Sequence, residues 1–351
     1  MTLRWRPARI ALGVVLTASA FTVVPLASSA VSASQLALAH FRGPSGIATC
    51  GSHVWVTNAA GDSVTELASD GRYLRTVADV STMRTEPMGV AANATDLWVT
   101  NLSSDTVVEI DCNTGQLIRT ITAGDLNNPV AVAVGAGKVW VASQAHRDDV
   151  LTNVIPNSSS VASFSTANGA LAQSVEGSGA NGLNGSSGIA VGAGKVWVAN
   201  ANGDSVTELD ATNGHVVRVI EAGPCGFDWP MGLASSGGDL WVANLYGNSL
   251  TEIDESTGSV MRVVSGDGLN GPSALCVLGT RLWVTNLFGN SVTELNARDG
   301  SLVRIIAARS DGLRAPMAIT GAGSSIWVAN QWGDTVTQLR ASSGARVRVI
   351  G

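Results

Sequence analysis

A chain of 351 residues with 45% hydrophobic content can bury a large core and, on length alone, could hold two domains. Its formal charge is −6 and Lys138 and Lys195 are its only lysines, so it lacks the basic stripe that neutralises phosphates and is a poor candidate for nucleic-acid binding. Forty glycines, without sustained helical periodicity, predict an all-β chain of many short strands.

Residues 1–33 differ from the rest. Arg4, Arg6 and Arg9 precede an apolar run over 10–26, and small residues then offer cuts after Ala30 or Ala33, the pattern of a secretory signal. The run is short for a membrane span. Cleavage would leave a mature chain, 34–351, with no span and a charge of −9. Location outside the cytoplasm, secreted or at the envelope, is expected, and the Ala, Gly, Val and Arg bias suggests a GC-rich bacterial genome. In such a setting Cys50, Cys112, Cys225 and Cys276 allow three disulfide pairings, and their scattered positions argue against zinc.

Residues 34–42 are either a loose leader or an extra strand at ring closure. Beyond Pro44 one stretch recurs around Trp55, Trp98, Trp140, Trp197, Trp241, Trp283 and Trp327, mostly as Trp-Val-(Ala/Thr)-Asn. The spacing is 42 to 44 residues apart from one interval of 57. A period near forty predicts one domain over 34–351, a seven-bladed β-propeller of four-stranded antiparallel blades. The last unit contains its own fourth strand near 346–350, so strand borrowing is not required.

Unit four shows the plan, with strands near 187–191, 195–200, 205–209 and 215–220. The first two are almost continuously apolar, as blade stacking demands. Each Trp is expected to wedge between sheets, where burying roughly 200 Å² at about 25 cal/mol/Å² gives on the order of 5 kcal/mol gross. The turn from Asp210 to Gly214, matched at 111–115, 254–258 and 296–300, reads as a hairpin with an Asx lock and a positive-φ glycine, and has too few oxygens for a calcium loop. Glu66, Glu109, Glu208, Glu252 and Glu294 precede Arg75, Arg119, Arg218, Arg262 and Arg304 by nine or ten residues, which predicts cross-strand ion pairs. In unit seven Gln338 precedes Arg348, and in unit three Ser163 and Gln173 replace both partners. The repeated Asn58, Asn101, Asn200, Asn244, Asn286 and Asn330 either cap loop backbone or orient a partner.

Unit three carries an insertion over 144–158 with His146, Asp148 and Asp149, a solvated excursion or a functional rim. In units five to seven Tyr246, Phe288 and Trp332 stand where units one, two and four have Ala60, Ser103 and Asn202. Phe227 and Trp229 lie in the loop before unit five, on the same face. These aromatics form either a platform for a small molecule or protein, with His146 at its edge, or packing that seals the channel mouth. No cofactor or metal site is expected, and the working form is expected to be a monomer.

The units Trp-Val-(Ala/Thr)-Asn, Gly-(Asp/Asn)-Ser-Val-Thr-Glu-Leu and Thr-Gly-x-x-Val-Arg-x-Ile, with Pro-x-Gly-(Ile/Val/Leu)-Ala before them, resemble NHL and YVTN-type propeller repeats. That resemblance implies a propeller whose relatives include interaction scaffolds, surface proteins, streptogramin lyases and amidating lyases. The lyases gather histidines and a divalent metal at one face of the ring. Of His40, His53, His146 and His215, only His146 falls suitably, so a metal-assisted lyase or hydrolase would use His146 with Asp148 or Asp149 as base or ligands. A structural envelope component is the third reading. No phosphate loop, His-Glu-x-x-His or Gly-x-Ser-x-Gly motif is present.

Overall fold

The computed structural model describes residues 41–78, 85–123, 126–144, 159–223, 225–307 and 312–351. The leader and His146, Asp148 and Asp149 lie outside the described residues. Strands β1 (Pro44–Cys50), β2 (His53–Asn58), β3 (Ser63–Ala68) and β4 (Tyr73–Ala78) pair antiparallel in that order. Six equivalent sheets follow over 87–121, 129–176, 186–221, 230–265, 272–306 and 316–350, giving a seven-bladed β-propeller. Every blade uses four consecutive strands, so the ring closes without strand exchange, and residues 41–43 form no strand.

The seven repeated indoles are 0–1% exposed. Each faces the following blade: Trp55 packs with Leu97, Val99 and Ile110, and Trp197 with Leu240, Val242 and Ile253. Trp327 packs with Val54, Val56 and Leu67 of blade 1 and so closes the ring by the same contact. Among the described residues six seams hold a further apolar plug three residues before the inner strand: Phe41, Leu126, Leu183, Phe227, Leu269 and Leu313.

Across each blade the indole's neighbours follow from register. Trp197 stands opposite Glu208, which stands opposite Arg218, and the same order holds for Trp55, Glu66 and Arg75. The expected ion pairs form at 2.5 to 2.7 Å between Arg Nε and carboxylates that are almost wholly buried. In blade 3 Ser163 and Gln173 hydrogen-bond instead. Arginines also reach the next blade, with Arg75 donating to the Thr114 carbonyl and Arg218 to that of Thr257.

Seven polar latches join neighbouring blades. Asp62, Asp105, Asp204, Asn248, Asn290 and Asp334 each have φ between 45° and 52°, and each Oδ1 accepts an N–H from the loop before the next blade's inner strand. Ser159 Oγ does this from blade 3 to Gly185 at 2.8 Å. Gly43 N–H donates to Asp334 Oδ1 at 2.7 Å, a latch across the closing seam. The receiving residues Gly43, Glu86, Asn128, Gly185, Trp229, Gly271 and Ala315 all have left-handed φ, and each carbonyl accepts an N–H from the loop after its own blade's second strand.

Cys50, ending β1, pairs with Cys112 in the outer turn of blade 2. Cys225 and Cys276 are free and lie in different seams. The bridge closes a loop with a sequence separation of 62. By loop-closure entropy, replacing both cysteines by Ala is expected to cost about 4 kcal/mol in denaturant titration. Asp62 accepts two N–H groups, so Asp62→Ala is expected to cost about 1–3 kcal/mol. Asp62→Asn, the residue used in blades 5 and 6, is expected to lose much less, and equal losses would show that the bond is not the cause.

Burial raises the carboxyls of Glu66, Glu109, Glu252 and Glu294 above the usual glutamate value, against the lowering pull of their arginines. Hydrogen bonds from Ser256 and Thr257 lower Asp254 to about 2, and Thr–OH and N–H donors lower Asp111 and Asp210. A raised carboxyl makes the folded state bind extra protons, so its stabilisation is present at low pH and lost as pH rises through the folded value. A lowered carboxyl stabilises above about pH 4 and loses that contribution as pH falls. The melting temperature is therefore expected to rise as pH falls from 8 toward about 5, less so in Glu252→Gln, and to fall below about pH 4. A steady decline from pH 8 would contradict this assignment.

Candidate ligand-binding face

In each blade the loop after the second strand and the loop before the first strand share one face, tied by the bond from Leu245 N–H to the Trp229 carbonyl and its equivalents. Tyr246, Phe288 and Trp332 occupy the former loop in blades 5, 6 and 7. They are 36%, 44% and 61% exposed. Trp229 and Tyr246 meet edge to face with centroids 5.4 Å apart, and Tyr246 and Phe288 stack at 6.1 Å. A continuous row of three rings therefore spans blades 5 and 6, with Trp332 at the same loop position in blade 7.

Local backbone fixes this row. Phe288 lies over Gly271, where any Cβ would come within 2.4 Å of the ring. Trp229, half-buried, occupies the corresponding position in blade 5 with φ of 57°, held by its N–H bond to Asp204 Oδ1 at 2.8 Å. The same position is Gly in blades 1, 4 and 6, Ala in blade 7, Glu86 in blade 2 and Asn128 in blade 3, so blade 5 alone places an aromatic there. A bulky side chain is costly in this conformation.

Phe227 does not join the row. It is 5% exposed and fills the seam below Trp197, at the plug position that Leu occupies in four other blades. Its neighbours Gly226 and Asp228 give no hint of this, whereas its place three residues before Pro230 does. The repeated asparagines are also buried, and their amides donate to strand hydroxyls, as Asn58 does to Ser63 and Thr65. They present nothing to a partner; their amides bond mainly to strand side chains, and Asn286 Oδ1 also caps loop backbone by accepting the Asn270 N–H at 3.3 Å.

Other candidate chemistry disperses. His53 lies on the opposite face, paired with Glu66 at 2.5 Å, and His215 is exposed beside the outer strand of blade 4. Burial pushes the Cys276 thiol up to about 12 and raises Cys225, so neither offers a thiolate at neutral pH. Among the described residues no group of three His, Cys, Asp or Glu could hold a metal, and no helix is long and apolar enough to cross a membrane. The blade 3 insertion leaves the strand at Ser143 and rejoins at Ser160, with His146, Asp148 and Asp149 outside the described residues.

The fold is shared with streptogramin B lyase. A streptogramin B lyase structure matches with TM-score 0.70 at 17% identity, covering 84% of this chain and 92% of that one. A catalytically inactive virginiamycin B lyase from Staphylococcus aureus with quinupristin gives 0.70 at 17%, covering 84% and 94%. The WD40 β-propeller domain of Doa1 gives 0.65 at 14%, covering 86% and 94%. No family model matches the chain, and no curated protein matches it by sequence. The likeness is therefore one of architecture, spread over lyase and non-lyase propellers alike.

Proposed function

We propose that this chain is an exported, non-enzymatic propeller that binds a small molecule or protein on the loop face of blades 5 to 7, through Trp229, Tyr246, Phe288 and Trp332. Trp229 carries the reading: it is the one aromatic at a left-handed position that the other blades give to Gly, Ala, Glu or Asn, and the backbone strain of a bulky side chain there is of the kind that concentrates at functional sites. The exposed ring of Trp332 and the stacked pair beside it extend the apolar surface. Export is supported by the arginine-led apolar leader and by the Cys50–Cys112 bridge, a bond that persists in oxidising compartments.

The purified mature protein, screened by thermal shift against small metabolites and cell-wall fragments, is expected to yield a ligand. Trp332→Ala with Phe288→Ala should then abolish binding and move the melting temperature by no more than about 2 °C. Trp229→Gly should also weaken binding at nearly unchanged stability, because relief of the backbone, about 1 kcal/mol, offsets the lost ring contact. A collapse of stability in these variants would make the aromatics packing residues. Divalent-metal-dependent turnover lost in His146→Ala would replace a binding protein with a lyase or hydrolase.

A further inference from the structure

On the face opposite the aromatic row, the first residue of each second strand decides what lies against the seam indole. In blade 3 it is Lys138, whose Nζ sits 5.4 Å from the Trp140 ring centre. That ammonium donates to the carbonyls of Ala211 at 2.8 Å and Thr212 at 2.7 Å, in the outer turn of blade 4. In blade 4 it is Lys195, 5.5 Å from the Trp197 ring centre, donating to the Glu255 carbonyl of blade 5 and pairing with Glu208 at 2.8 Å. An ammonium held between a seam indole and the next blade's turn carbonyls is thus a unit that occurs twice among the described residues. Blade 3 shows that the unit needs no carboxylate, since Ser163 stands opposite Trp140 where other blades have Glu.

Blade 7 has Ser325 at this position. Its hydroxyl accepts from Gln338 Nε2 at 2.9 Å, and a cavity of about 350 Å³ opens at the seam with blade 1, lined by Trp327, Ser325, Ser69 and His53 among others. Ser69 lies in the outer turn of blade 1, the place Ala211 holds in blade 4, and its carbonyl receives only a 3.4 Å contact from Gln338. The next residue, exposed Asp70, adds a negative charge to the turn, while His53 Nδ1 is already committed to Glu66. Arg340 pairs with Ser325 in register, yet it is exposed and does not line the cavity.

We propose that this cavity binds the ammonium group of an aliphatic primary amine, over Trp327 and against the Ser69 carbonyl, where blades 3 and 4 place their own lysines. The volume suits a small ligand. The amine is either a free metabolite or the end of a lysine side chain, since both present the same head and stem.

An NMR titration following the Trp327 indole N–H tests this with n-butylammonium, which reproduces the lysine stem, and with n-butanol as its neutral counterpart. Saturable millimolar binding of n-butylammonium is expected, at least tenfold tighter than n-butanol. Ser325→Lys should fill the cavity and abolish the response while keeping or raising the melting temperature. Trp332→Ala should leave it unchanged, which separates this site from the aromatic face. A lysine-bearing tripeptide that binds as n-butylammonium does would assign the site to side chains, and one that does not bind would assign it to free amines. Equal binding of n-butanol, or an undiminished response in a folded Ser325→Lys protein, would overturn the proposal.

Discussion

An indole buried against the next sheet is the contact on which this ring depends. Seven such contacts, each with a side chain no more than 1% exposed, replace any exchange of strands at the closing seam. Each indole is large enough to contribute on the order of 5 kcal/mol gross, which dwarfs the roughly 1 kcal/mol typical of one hydrogen bond in a latch. The latches serve another end: they fix how one blade's loops meet the next. The bulk of the chain is committed to this arrangement, and freedom for a task is left to loop positions that do not repeat.

Those positions are governed by the left-handed residue before each inner strand. Its N–H belongs to the preceding blade's latch and its carbonyl to its own blade's loop, so the backbone is held from both sides whatever side chain it bears. A framework fixed in this way tolerates Trp229, and it aims the indole at Tyr246. The opposite face obeys a different rule, in which the first residue of the second strand either fills the seam, as Lys138 does, or leaves it open, as Ser325 does.

Blade number, strand order and the Glu–Arg pairs were legible because each depends on residues recurring at fixed separation, and the sheet register then places Glu208 opposite Arg218. The latches were not. Asp204 is visible in its repeat, but its partner is a backbone N–H 25 residues later, and a backbone donor leaves no mark in the sequence. The Cys50–Cys112 pairing escaped for a similar reason, since it requires the outer turn of one blade to lie beneath the inner strand of its neighbour. Phe227 and Trp229 looked alike as loop aromatics. Only their distances from Pro230, three residues and one, separate a seam plug from a surface ring.

Equilibrium denaturation of Trp327→Ala beside Trp197→Ala tests the central claim most directly, because one indole crosses the closing seam and the other an internal one. If all seams are equivalent, each variant loses about 3–5 kcal/mol and still unfolds in a single cooperative transition. A loss below about 1 kcal/mol for Trp327→Ala, set against a full loss for Trp197→Ala, would show that something other than the indole closes the ring.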